Sequence, residues 1–580
     1  MGKTWYACII GAAVFLGLVP WIVALILNHG VLSVPPEFAN DSEYYYAQVH
    51  DVAIGYPFIG NPYYKEYRDE PATSFFGAAW IAAIPLLAGI PIVPALAIDF
   101  GVAFGIYTTL LLMLGVRLGM RRWWGVALIT AALGSSYWLM ERPVSMQVVF
   151  PCFVFFLLSY YLWLKDPESR ASRIALILSS ALAFYVYTYS WQIMVVVFAL
   201  THALFLFSDR KKFISLLWID LPIVILSSPV IWYTYYQIHQ PWYWQTMTRT
   251  GLVETHTIGS SSIFVILISA FMLGAIRLFG RYSRDHEYRA EILFLAITGL
   301  SILITSFSNV ITGKDVETAI HLIRFEYVWA AIAGVYALWL YAHSRPLEWR
   351  AALTSSSGLY AIAIVAFVAY FLYGALQGFP GLLLPSTVAT QDYGAPLEWL
   401  NENAPAGSVV FADDYLSYYV PVMTRDYVLF QPDGGLYLMP DSQVQNRYLA
   451  SRMFDNLSLE DLEGEVRWYA GAGNADDAPE TLDRWPKICM LLIRNNCPPM
   501  VSAVSYLGAP YFDDMYQRYQ NVIAHPAQTL QDYQVSYIIK DTKLDSNMHP
   551  EELEGTNLVA TLGRFEIYTF DATSSMVSRE

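Results

Sequence analysis

The sequence predicts a polytopic α-helical membrane domain followed by a C-terminal extracytoplasmic α/β domain. Three observations predict it. Apolar stretches of around 20 residues, the length that crosses a bilayer's hydrocarbon core, recur along a chain of 580 residues that is 56% apolar and 14% charged. Lys and Arg fall in tight clusters between those stretches. The net charge of −15 belongs to the C-terminal part: from Gln377 onward 28 acids face 12 bases, against 21 acids and 22 bases before it. A near-neutral membrane domain, residues 1–376, is thus joined to an acidic soluble domain, residues 377–580. Acidity at that level argues against nucleic acid as a partner and leaves the lipid bilayer as the first one.

Cytoplasmic loops collect Lys and Arg, so the clusters assign sides. Arg117, Arg121 and Arg122; Lys165, Arg170 and Arg173; Arg210, Lys211 and Lys212; Arg277, Arg281, Arg284 and Arg289; Arg345 and Arg350, with Lys3, make sixteen basic residues that must share one side. Eleven spans achieve this, at 5–27, 96–116, 123–140, 147–164, 174–189, 191–207, 213–236, 263–280, 292–308, 320–342 and 351–375. The opening apolar run is too long for a cleavable signal and serves as the first span. A further apolar segment, 74–93, reads as a juxtamembrane or re-entrant helix, since a full crossing there would invert the later clusters, and Pro85, Pro91 and Pro94 fit a broken interfacial segment. The N-terminus is then cytoplasmic and the tail outside, in a multi-pass cell membrane protein.

That assignment puts every chemically varied loop on the outer face: 28–73, 141–147, 239–262 and 309–319. Six basic residues of the membrane part lie away from the cytoplasmic clusters: Lys65, Arg68, Arg142, Arg249, Lys314 and Arg324. In the tail, SVVFAD, DYVLF, KICMLLIR, VSYIIK and RFEIYTF read as strands, and DSQVQNRYLASRMF reads as a helix. Cys8 and Cys152 lie in spans as small hydrophobes. Cys489 and Cys497 could form a disulfide in an oxidising compartment or stay as free thiols.

The first outer loop carries the densest chemistry. Asp41 and Glu43 follow the first span closely, and Tyr44, Tyr45 and Tyr46 come next. On a helix Asp41 shares a face with Tyr44 or Tyr45. An aromatic belt at the interface is the plainer reading of these tyrosines, but about forty residues of interleaved acids, amides, prolines and tyrosines exceed what a belt requires.

The first-loop acid, the YY that follows it and GYPFIGNPYY resemble the GT-C superfamily of integral membrane glycosyltransferases, as does the overall plan of many spans and an outer soluble domain. The resemblance implies an inverting glycosyltransferase that takes its sugar from a polyprenyl-phosphate-type lipid donor and passes it to an extracytoplasmic acceptor. Asp41 matches the first-loop acid that serves there as base or metal ligand, with Glu43 as its second. Glu141 matches the acid of the second outer loop, but no second carboxylate follows at two residues, so a divalent cation, Mg or Mn on Asp41 and Glu141, stays an open expectation. The tail lacks the WWDYG signature of oligosaccharyltransferases, having FADDYLSYYV instead, which argues against protein N-glycosylation.

Substrate contacts follow from what such chemistry requires. Arg324, with Lys314 and His321 nearby, suits charge developing on phosphate. Tyr44, Tyr45, Trp242 and Trp244 suit sugar stacking or lipid entry. The competing reading of Arg324 is an ion pair with Glu317 or Glu326, or snorkelling to the interface. A transporter or flippase for a lipid-linked glycan is the rival function, disfavoured because no internal repeat is evident and the polar groups crowd one face. A non-catalytic subunit of a polysaccharide assembly complex is the third.

Overall fold

The structure, a computed structural model, describes residues 3–38, 41–72, 76–120, 123–140, 142–282, 288–344, 389–492 and 497–571. Its first part is helical: α1 (Lys3–Leu27), α2 (Ser42–Ala53), α3 (Gly77–Ala82), α4 (Ile84–Leu87), α5 (Ile92–Arg117), α6 (Trp123–Met140), α7 (Ser145–Lys165), α8 (Arg170–Val186), α9 (Thr188–Ser208), α10 (Arg210–Ile238), α11 (Tyr243–Arg249), α12 (Ser260–Tyr282), α13 (Arg289–Ser306), α14 (Ser308–Thr312) and α15 (Thr318–Ser344). Seven of these, α1, α5, α7, α9, α10, α13 and α15, are long and apolar enough to cross a membrane. The expected spans at 123–140, 174–189 and 263–280 fall on α6, α8 and α12. The eleventh, 351–375, and the expected domain boundary at Gln377 lie outside the described residues. The segment at 74–93 is broken as its prolines require, into α3 and α4.

Side-chain contacts sort the loops into two ends. At one, the Tyr161 hydroxyl donates to the Arg117 carbonyl (3.1 Å) and to Glu291 (2.7 Å), and Lys165 pairs with Glu291 at 2.7 Å. Three of the basic clusters therefore meet. At the other end the leftover basic residues find partners: Arg68 holds Asp51 in a fork at 2.6 and 2.8 Å, Arg142 pairs with Asp41, and Arg249 pairs with Asp441. A two-stranded antiparallel sheet, β1 (Leu252–Glu254) with β2 (Lys314–Val316), ties two loops of this second end together.

The tail is built on a five-stranded mixed sheet in the order β4 (Tyr427–Val428), β3 (Val409–Ala412), β5 (Val535–Asp541), β7 (Phe565–Phe570), β6 (Thr556–Leu562). β3 runs parallel to both neighbours, and β5, β7 and β6 are antiparallel. The structure corrects the sequence reading twice. KICMLLIR is not a strand: its described residues close the helix Ala478–Leu492, where Cys489 is buried and Ile488 and Met490 are exposed. β6 is not expected from sequence, because its central residues Asn557 to Val559 are exposed and the strand rests on pairing with β7. Cys489 and Cys497 are joined in a disulfide.

The loop that follows α1, expected from sequence to be the first outer one, is the seam between the two parts, which explains most of its buried tyrosines. Tyr46, Tyr63 and Tyr64 are fully buried, and one continuous apolar core runs from the helices through them into the tail. The Tyr64 hydroxyl and the loop's polar groups bind the tail: Tyr64 donates to the Gln431 carbonyl (2.6 Å), Asn61 to the Gly434 carbonyl (2.9 Å), and Val428 N–H to the Tyr63 carbonyl (2.9 Å). A second contact needs glycine. A Cβ on Gly473 would lie 1.7 Å from the Thr248 carbonyl oxygen. Gly473→Ala is expected to lower stability by about 1–3 kcal/mol through that clash, read as a reduced unfolding temperature of the purified protein. An unchanged temperature would show that the tail does not rest on α11.

Candidate functional site

Asp41 immediately precedes α2 but makes no side-chain cap bond to it. Its carboxylate instead pairs with Arg142, which lies between α6 and α7. Arg142 also lies over the Tyr45 ring, 5.2 Å from its centre. Tyr45 sits one turn beyond Asp41, as the four-residue spacing predicts, and its hydroxyl bonds Ser145.

From the other side comes α15. Arg324 donates to the Tyr187 hydroxyl at 3.4 Å, Tyr187 shares a hydrogen bond of 2.6 Å with His321 Nδ1, and His321 Nε2 faces Glu317 at 3.2 Å. Tyr189 stacks on the His321 ring at 4.6 Å. Tyr187 can reach this line because α8 and α9 are joined through it alone, in extended backbone (φ −164°, ψ 134°). The Arg142 and Arg324 guanidiniums are close enough to interact, and Tyr45 feels the Arg324 charge. Asp41 and Arg324 therefore both lie near Arg142. Two strained residues flank it, Val144 at φ 60° and Glu317 at φ 47°. Left-handed backbone in a β-branched residue costs on the order of 1–3 kcal/mol and is found where surroundings impose it, characteristically at functional sites.

Just below Arg142 the bundle is hollow. A cavity of about 320 Å³ with an almost wholly apolar lining lies among α3, α5, α7 and α8, bounded by Val144 and Gln147 at the cleft and by Ile106, Leu110 and Phe155 deeper in. Among the described residues Asp99 is its one acidic lining residue, and one of its carboxylate oxygens is buried there without a partner.

The other expected site residues are placed as follows. Lys314 and Trp244 come together, the ammonium 3.7 Å from the ring centre, at the paired strands β1 and β2 rather than on Arg324. Trp242 precedes α11, half-buried. Tyr44 is buried against Tyr437 of the tail. Glu43 faces the tail as well, 4% exposed, and accepts a hydrogen bond from Tyr419 at 3.0 Å. Glu141 lies outside the described residues. Glu326 bonds Ser269 at 2.6 Å, so it is not the partner of Arg324. Among the described residues no three His, Cys, Asp or Glu side chains gather as metal ligands do. Asp41 is engaged by a cation already, the Arg142 guanidinium.

Sequence reasoning missed Arg142 and Tyr187 as site residues. A signal existed for the first: Arg142 is one of six basic residues away from the cytoplasmic clusters. For Tyr187 the only signal is its place in YVYTYSW, where two expected spans meet with no room for a loop.

Burial raises Glu43 to about 8, with the Glu37 charge adding to it, and burial alone raises Asp433 of the tail to about 7. Both carboxyls are more easily protonated in the folded protein than in the unfolded chain. Their contribution to stability is full below about pH 4 and is lost as pH rises through about 7 to 8, at up to about 1.4 kcal/mol per pH unit per group. Unfolding temperatures should fall across that window, and Glu43→Gln should flatten the fall. Equal pH slopes for the two proteins would show that Glu43 is not a source of the pH dependence.

No family model matches the sequence, and no curated protein matches it either. Solved structures do. The arabinofuranosyltransferase AftD from Mycobacteria superposes with a TM-score of 0.50 at 13% identity, covering 98% of this chain and 40% of AftD, so the chain spans less than half the length of that protein. ArnT from Cupriavidus metallidurans, solved with undecaprenyl phosphate, gives 0.44 at 12% identity over 98% of both chains. The archaeal oligosaccharyltransferase AglB from Archaeoglobus fulgidus, solved with an inhibitory peptide and a dolichol-phosphate, gives 0.43 at 11% identity over 94% of this chain and 70% of AglB. The likeness to AftD is one of fold.

Proposed function

We propose, with the GT-C fold of this multi-pass membrane protein as premise, that the chain is an inverting glycosyltransferase using a sugar on a polyprenyl-phosphate-type lipid. The observation that carries the reading is a carboxylate, Asp41, paired with Arg142, which in turn feels the Arg324 charge and lies two residues before Val144 of an apolar cavity's lining. Polyprenyl chains need such a cavity, phosphate needs such cations, and an acceptor hydroxyl needs a base.

The residues divide the work accordingly. Asp41 takes the proton of the acceptor hydroxyl as its oxygen attacks the anomeric carbon, and the bond from that carbon to the phosphate oxygen breaks. Arg142 and Arg324 meet the charge that gathers on the departing phosphate. In the structure Arg142 is engaged by Asp41. A donor phosphate entering between the guanidiniums competes for Arg142 and frees the carboxylate, so the base becomes available when there is a donor to use. Tyr187 holds Arg324, and His321 with Glu317 hold Tyr187. Glu43 supports the loop from the tail side.

The test is incubation of the purified protein with radiolabelled polyprenyl-phosphate sugars and candidate glycan, lipid and protein acceptors, with and without chelator. Transfer by the wild type supports the reading; no transfer with any donor defeats it. The cavity gives a separate expectation. Val148→Trp, which fills it, should raise KM for long-chain donors about tenfold, or ~1.4 kcal/mol, and leave short-chain donors unaffected. Equal effects on both would detach the cavity from the lipid tail.

For topology we propose a cytoplasmic N-terminus and an extracytoplasmic tail, in a plasma membrane. The meeting of the basic clusters at one end supports it, and so does the Cys489–Cys497 disulfide, a bond of oxidising compartments. Cysteines introduced at 212 and 543 should react with impermeant reagents from the inside and the outside respectively.

A further inference from the structure

Among the described residues the helix Ala478–Leu492 presents an apolar stripe that stays exposed. Leu482, Trp485 and Ile488, three residues apart, are 52%, 59% and 45% exposed, while Asp483, Pro486 and Cys489 face inward. Met490, Met500 and Tyr506 are exposed beside them in sequence. These six are half of the twelve large apolar side chains that the tail exposes among the described residues. Such concentration marks a contact surface, whereas single exposed side chains do not.

The helix is tied to the membrane domain at a telling place. Arg484 donates to the Thr257 carbonyl at 3.1 Å and also bonds its hydroxyl. Thr257 lies three residues before α12, whose apolar body is Phe264–Leu278. The residues just before the helix are fixed to the same loop, with Gly473 against Thr248 and Asp477 against Gly251. Its far end is closed by the Cys489–Cys497 disulfide, and the Val501 N–H donates to Asp483 at 2.6 Å. The helix is therefore tied to the loop just before the apolar helix α12, and its far end is closed onto its own continuation by the disulfide.

We propose that this helix lies in the interface of the lipid bilayer, with Leu482, Trp485 and Ile488 in the acyl boundary and Arg484 and Lys487 toward the headgroups. Trp at that depth is favoured because its ring is apolar and its N–H is wet. An amphipathic helix seated this way is held by its buried apolar area and by flanking cations. The tail is then fastened to the membrane independently of the first-loop seam, beside the outer-end loops that form the cleft. The inference needs the chain to be a membrane protein but not a glycosyltransferase.

The experiment uses full-length protein in lipid nanodiscs. With Cys8 and Cys152 replaced by Ser, cysteines introduced singly at 482, 485 and 488 carry nitroxide labels, and Leu558→Cys on exposed β6 serves as the control. Labels on the stripe should collide with lipid-soluble oxygen about threefold more often than with a water-soluble nickel chelate, relative to the control label. Preference for the nickel chelate on the stripe would overturn the proposal by placing the helix in water. Shielding from both reagents would overturn it too, because a protein would then cover the stripe. All four positions are exposed, so the substitutions leave the folded core untouched.

Discussion

Asp41→Asn is expected to reduce sugar transfer by about 10²- to 10⁴-fold while leaving the affinity for the lipid donor largely intact. The amide keeps the shape and can still sit beside Arg142, but it cannot take a proton from an acceptor hydroxyl. Loss of the carboxylate also releases Arg142 from its pair, so donor binding should hold or tighten. The measurements are single-turnover transfer and equilibrium binding of a radiolabelled donor, made on the same preparation. A variant that binds and transfers like the wild type would remove Asp41 from the chemistry, and one that fails to bind would make it a structural partner of Arg142 only.

Arg324→Ala should lose both affinity and turnover, because a phosphate contact exists in the ground state and strengthens in the transition state. About 1.5–3 kcal/mol, or roughly 10- to 100-fold in donor Kd, is the scale of one charge-assisted contact. Arg142→Ala should weaken donor binding similarly. Lys at either position should recover part of the loss, since it restores charge without the planar fork. Unchanged donor Kd in both alanine variants would contradict the phosphate site. A further loss confined to kcat in Tyr187→Phe would indicate that Tyr187 aims Arg324 rather than binding donor.

The helical plan of the membrane part was legible because hydrocarbon imposes the same rule on every segment. A span must be apolar and about 20 residues long, and basic residues gather between spans rather than within them. The same rule exposed Arg68, Arg142, Arg249, Lys314 and Arg324 as residues away from the cytoplasmic clusters, and each of them has a partner in the fold. The first outer loop stood out for a different reason: a carboxylate, aromatic pairs and prolines in one long loop leave few structural explanations. Tyr44, Tyr63 and Tyr64 proved to have one all the same, since they fill the seam with the tail.

Other features were closed to sequence reading. KICMLLIR has the composition of a buried strand, and only its disulfide and the loop before α12 make it the end of a half-exposed helix. Glu43 and Asp41 are two residues apart, and no pattern tells that one faces the tail and the other the cleft; helical geometry turns them about 200° apart, and the seam then decides. Composition and periodicity act along the chain, so by themselves they determined the apolar helices, the grouping of the basic clusters between them and the acidic, sheet-containing tail. The cleft depends on residues 41, 142, 187 and 324 meeting. That meeting was decided by packing of helices far apart in sequence, because only tertiary structure brings side chains more than a hundred residues apart within bonding distance.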